Sequence, residues 1–120
     1  MPFDNIASEI LEFVDRYIGQ FAAWDVLVYF HENPDTEHDV SAVALDIGRR
    51  VSQIEECLAS FVEMGIITCD ETSQEGEQSY RYTASPEFRG RMDAFIAACR
   101  DRTNRLAIVS RILQKEAKRI

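Results

Sequence analysis

Arg49, Arg50, Ser52 and Gln53 follow Gly48 in the segment ALDIGRRVSQIEECLASFVEMGII, residues 44–67. An arginine fork matches the acceptors of guanine, a glutamine amide matches adenine, and a serine hydroxyl reaches a phosphate oxygen. Hydrogen bonding to a polyanion or to base edges is the chemistry these residues offer. They serve equally as a polar surface at the start of a helix. Glu55 and Glu56 come directly afterwards; a glutamate accepts from cytosine but repels phosphate.

Other reactive side chains are scattered. His31 and His38 lie in the acidic stretch HENPDTEHD without the regular spacing of a metal site, so a solvated polar loop is the expectation there. Cys57, Cys69 and Cys99 are odd in number and form no CxxC pair. Each has apolar neighbours, which suits buried reduced thiols, with a thiol sensor as the alternative. No Gly-rich phosphate loop, nucleophile elbow or apposed carboxylate pair is present, and neither an enzyme nor a cofactor is expected.

The elements that must position Arg50 and Gln53 follow from periodicity. Ile6, Ile10, Phe13, Val14, Tyr17 and Ile18 share one helical face over residues 5–18, with Asp4 or Asn5 to cap it and Gly19 to end it. FAAWDVLVYFHENPD reads as a buried helix stopped at Asn33 and Pro34, although Val26 to Phe30 alone also reads as a strand. Ser41 can cap a short helix holding Val43, Ala44 and Ile47, and Gly48 allows a tight turn. The next helix buries Ile54, Cys57, Leu58, Phe61 and Val62 and ends at Gly65. IITCDE and SYRYTAS, joined by the polar TSQEGEQ, form a β-hairpin.

The last segment opens on Ser85-Pro86-Glu87, a capping signature. Met92, Cys99, Leu106, Leu113 and Ile120 then recur every seven residues, with Phe88, Phe95 and Val109 on the companion position. One long amphipathic helix is expected, loosened near Asp101-Arg102-Thr103-Asn104.

The chain has 120 residues, of which 46% are hydrophobic, enough for one domain and a long appended element. Its net charge of −8 is unevenly placed. Residues 1–80 hold 3 Lys and Arg against 17 Asp and Glu, whereas residues 81–120 hold 10 against 4. An acidic body thus carries a basic C-terminal segment, whose rows Arg89, Arg100, Arg111, Lys118 and Arg91, Arg102, Arg105 border the apolar stripe and suit an acidic partner. No run nears the roughly 18–20 apolar residues of a membrane span, and MPFDNIASEI is unlike a secretory signal, so a cytoplasmic protein that does not engage membranes is expected.

The order helix, short helix, Gly turn, longer helix, Gly, strand, turn, strand, long helix resembles the winged helix-turn-helix superfamily. VALDIG, the 17 steps from Gly48 to Gly65, and Ile54, Leu58 and Phe61 carry the resemblance. The flanking helices are similar to those of dimeric bacterial transcriptional regulators of the MarR or PadR kind. This implies a mainly α fold with a small β-hairpin wing. A winged-helix domain would span 1–85, with its helix-turn-helix over 41–64 and its wing over 66–84; a C-terminal dimerisation or interaction helix would span 86–120. The resemblance places Arg49, Arg50, Ser52, Gln53, Glu56 and Arg81 at double-stranded DNA. It places Phe88, Met92, Phe95, Cys99, Leu106, Val109 and Leu113 in a homodimer seam.

Two functions stand at this point. One is a homodimeric DNA-binding regulator. The other is an acidic winged-helix module that binds a protein and no DNA, favoured by Glu55, Glu56 and Glu63 and by an acidic wing tip, Glu71, Glu75 and Glu77.

Overall fold

The computed structural model describes residues 8–70 and 78–118. The expected cap at Asp4 or Asn5, the burial of Ile6, the acidic wing tip and the last heptad residue Ile120 lie outside them. Two compact units form: one of residues 22–88, the other joining the chain up to Phe21 with the segment from Arg89 onward.

Residues 22–88 fold around α2 (Phe21–Glu32), β1 (His38–Asp39), α3 (Val40–Ile47), α4 (Val51–Glu63), β2 (Ile67–Asp70) and β3 (Ser79–Tyr82). The stretch that also read as a strand is helical; Val26, Leu27 and Phe30 are buried, and the Asn33 side chain donates to the Tyr29 carbonyl at 2.8 Å as the helix ends. Asp39, rather than Ser41, caps α3: its carboxylate accepts from the Ala42 amide at 2.7 Å. A fixed carboxylate two residues earlier thus takes the orphan amide that the serine hydroxyl was expected to take.

Gly48 and Gly65 bracket α4, and both adopt the left-handed conformation, with φ of 81° and 78°. A side chain with a Cβ is strained there, which is why glycine occupies both positions. Ile54, Cys57, Leu58 and Phe61 are buried along the inner face of α4, while Val62 is half-buried. Each full burial of such a side chain is worth about 1.5–3 kcal/mol, so this stripe fixes the rotation of the helix and turns Ser52, Glu55 and Glu56 outward.

The sheet has the order β1-β3-β2, antiparallel throughout. Ile67 faces Tyr82 and Cys69 faces Tyr80 across the β2-β3 hairpin. The third strand was not expected: His38 and Asp39, read as part of a loop, pair with Tyr80 and Ser79. Two polar residues show no alternation, so nothing local announces the pairing.

In the other unit, α1 (Ser8–Tyr17) buries Ile10, Phe13 and Val14. Phe13 stacks on Phe95 at a centroid distance of 5.4 Å. α1, expected within the winged-helix segment, groups with the C-terminal helices.

The single C-terminal helix of the sequence reading is two helices, α5 (Pro86–Ala98) and α6 (Arg102–Lys118). Ser85 caps α5 as expected, its hydroxyl accepting from the Phe88 amide at 3.1 Å. The break has neither proline nor glycine. Arg100 and Asp101 tighten the end of α5 by donating to carbonyls three residues back, and the Asp101 carboxylate then accepts from the Asn104 amide at 3.0 Å, starting a new helix. Arg105 donates to the Cys99 carbonyl at 3.3 Å, serving a group that the interrupted ladder leaves over.

This joint shifts the apolar face. In α6 the buried residues are Ala107, Ile108 and Ile112, whereas the heptad residues Leu106 and Leu113 are 55% and 54% exposed. The whole is a mainly helical, winged helix-turn-helix fold with a small antiparallel sheet.

Candidate nucleic-acid interface

The first turn of α4 gathers part of the expected contact set. Arg50 occupies the N-cap position with extended backbone, φ −69° and ψ 143°, and its side chain makes no capping bond. Arg50 and Ser52 are exposed and Gln53 is half-buried. Two of the side chains suited to bases and phosphates therefore stand exposed on one turn, with Gln53 partly covered beside them. Glu55 and Glu56 continue the outward face, and α4 contains neither Lys nor Arg. Arg81 is exposed on β3.

Arg49, the first residue of the expected contact set, is engaged within the fold. Its Nε donates to Asp25 Oδ2 at 2.7 Å, tying the Gly48 turn to α2. A guanidinium already paired with a carboxylate brings less net charge to a phosphate. Asp25 lies 24 residues upstream, and no local pattern in the sequence links the two.

A polar cluster missed in the sequence ties α3 to α2. The Tyr29 hydroxyl donates to Asp46 Oδ2 at 2.8 Å, and His38 Nδ1 lies 3.3 Å from the Tyr29 hydroxyl oxygen. Since the one hydroxyl proton goes to Asp46, the contact is a hydrogen bond when Nδ1 carries a proton and Tyr29 accepts. Thr36 Oγ1 lies 2.8 Å from His38 Nε2. Burial pushes the Tyr29 phenol up to about 12, helped by the hydrogen bond and charge of Asp46 and by the charge of Asp39. His31 is engaged elsewhere, its Nδ1 2.9 Å from the Tyr82 hydroxyl.

The proposed seam divides by burial. Phe88, Met92 and Phe95 are buried within the chain itself, whereas Cys99 and Val109 are half-buried and Leu106 and Leu113 face outward. The first three give their surface to the protein's own core, which leaves Leu106 and Leu113 as the largest apolar side chains of α6 open to a partner. The Cys99 thiol is pushed up to about 11 by burial, against the opposing pull of Arg105. At neutral pH it stays a thiol, with little nucleophilic character.

The basic segment is partly neutralised. Arg111 and Lys115 both approach Asp15 Oδ1, at 3.5 and 3.6 Å, and Lys115 also donates to the Asp15 carbonyl at 3.1 Å. Arg91 lies over the rings of Phe13 and Tyr17, 5.6 and 5.8 Å from their centroids. Glu116, which interrupts the expected apolar row, accepts from the Phe21 amide at 2.9 Å. Among the described residues, no helix is long and apolar enough to cross a membrane.

The fold defines the class: a mainly helical, winged-helix-like protein with a small antiparallel sheet. Comparison with solved structures agrees on the fold. The chain is similar to a protein of Methanosarcina mazei Go1 described as a "possible transcriptional regulator", with a TM-score of 0.57 and 14% sequence identity over 83% of this chain and 84% of that one. No protein-family model and no curated protein sequence matches the chain.

Proposed function

We propose that this chain is a transcriptional regulator that binds double-stranded DNA as a homodimer. The carrying observation is the turn at the start of α4, where Arg50 and Ser52 are exposed and Gln53 is half-buried beside them, after the left-handed Gly48. The M. mazei protein's description supports the same reading by analogy of fold. Arg50 supplies the charge, Gln53 and Glu56 stand where base edges are read, and Arg81 adds a cation from the wing. Leu106, Val109 and Leu113 pair two copies, as a dimeric reader of two half-sites requires.

A titration with mixed-sequence duplex DNA at two salt concentrations tests this. Weak binding that falls steeply as salt rises is expected, and absence of binding at about 50 mM salt overturns the DNA reading. A strict monomer by light scattering at high protein concentration overturns the dimer.

A second reading, a protein-binding winged helix, is favoured by charge. Residues 22–88 hold 3 Lys and Arg against 14 Asp and Glu, a net of −11. Phosphate approaches such a unit against repulsion, so the contribution of Arg50 decides between the readings.

A further inference from the structure

Among the described residues, Leu45 is the most exposed large hydrophobic side chain, at 81%. It stands on α3, whose inner face buries Val43 and Ala44, with Ala42 exposed one turn before it and Val51 exposed beyond the Gly48 turn. An isolated apolar side chain on a surface is ordinary. Leu45 differs in how firmly its helix is held and in the charge around it.

Three fixings hold α3. The Asp39 carboxylate caps one end, the Gly48 and Arg49 amides both donate to the Ala44 carbonyl at 2.8 and 3.0 Å at the other, and the Tyr29 hydroxyl holds Asp46 beside Leu45. A partner docking here meets a helix that is already ordered, so little conformational freedom is lost on this side.

Along α3 and the chain leading into it the charge is of one sign; the nearest cations in sequence, Arg49 and Arg50, follow Gly48, and Arg49 is paired with Asp25. Residues 17–48 contain six Asp and Glu and neither Lys nor Arg, and Asp35, Glu37, Asp39 and Asp46 are all exposed at or near the ends of α3. A phosphate backbone or anionic lipid is repelled by that surface, whereas a helix with Lys or Arg beside an apolar row satisfies both the carboxylates and Leu45. The basic helix of a second copy is a poorer occupant, because Arg111 and Lys115 already face Asp15 and Arg105 already serves the Cys99 carbonyl.

We propose that the outward face of α3, anchored by Leu45, docks a cationic amphipathic helix of a partner protein. This is independent of whether α4 touches DNA. It gives a regulator a place to hold a second protein on the element next to its reading helix.

The test uses the full chain and two synthetic 14-residue peptides, both with Leu at heptad positions a and d, one with Lys and the other with Glu elsewhere. At about 150 mM salt, where long-range attraction is screened, the Lys peptide should bind and shift the amide resonances of Ala42 to Asp46; the Glu peptide should not. Leu45→Ser should weaken binding at least about tenfold, as loss of a central anchor does, while Leu45→Met stays within about twofold. Equal affinity for Leu45→Ser and the parent chain overturns the proposal, as do resonance shifts centred on another element. A halved mass in Leu45→Ser also overturns it, because the occupant is then a second copy. The DNA titration of Leu45→Ser should match the parent; a parallel loss would assign the face to the nucleic-acid interface and overturn the separate docking site. Failure of the peptide arm alone leaves the DNA reading standing.

Discussion

The two units of this chain treat charge in opposite ways. Residues 22–88 carry a net of −11, with Arg49 paired to Asp25 and most of their carboxylates turned to solvent. The other unit carries 10 Lys and Arg against 7 Asp and Glu and folds several cations inward, onto Asp15, onto the rings of Phe13 and Tyr17, and onto the Cys99 carbonyl. Summed charge therefore misjudges both. A basic segment whose cations serve its own helices has less attraction left for a partner, and an acidic unit still presents exposed cations, Arg50 before α4 and Arg81 on β3.

The largest test of this comparison concerns the face of α6. Ile108→Ala should cost about 2–4 kcal/mol in denaturant unfolding, whereas Leu106→Ala should stay within about 0.5 kcal/mol under monomeric conditions. Equal costs would contradict the offset apolar stripe. Gly65→Ala, at a left-handed position of the acidic unit, should cost about 1–2 kcal/mol, and a thermal scan of the full chain reads it directly.

Asp101→Ala removes the cap that restarts the helix, an expected loss of about 1 kcal/mol. Asp15→Asn should cost less than about 1 kcal/mol, because its pairs with Arg111 and Lys115 are exposed, but it should strengthen nonspecific DNA binding by releasing both cations. No change in DNA affinity would show that those cations lie outside the interface. Arg50→Ala should reduce the slope of log affinity against log salt by about 1, and Arg49→Ala should reduce it by less.

The smallest effect belongs to Tyr29. Its phenol is held neutral above the ordinary tyrosine range, so the unfolded chain loses that proton first as pH rises. The stabilisation is complete below about pH 10 and is lost as pH climbs toward about 12. Phenolate absorbance should show one tyrosine titrating late, and Tyr29→Phe should remove that late component.

Much of the fold was legible because it rests on local signals. Gly48 and Gly65 marked both ends of α4, Ile54, Leu58 and Phe61 gave its buried stripe, and Ser85-Pro86 marked the start of α5. What was not legible depends on partners distant in sequence. Arg49 finds Asp25, Tyr29 finds Asp46 and His38, and β1 exists only because β3 offers it an edge. Along α6 the sevenfold recurrence of Leu106 and Leu113 concealed the four-residue spacing of Ile108 and Ile112; both are helical periods, and burial within the fold chose the second. Of the site, the exposure of Arg50 and Ser52 follows from the α4 stripe, whereas the pairing of Arg49 is tertiary.

The joint at residues 99–101 is made from side-chain caps rather than from a residue unable to be helical. A helix interrupted in this way can be mended. Each residue in a continuous α-helix rotates the next by about 100°, so joining α5 to α6 through 99–101 would fix the angular phase of Leu106 and Leu113 to that of Met92. Asp101 and Arg105 act as a clutch between the two helices, and replacing them with alanine offers a route to a chain whose outward apolar row points elsewhere while its composition is almost unchanged.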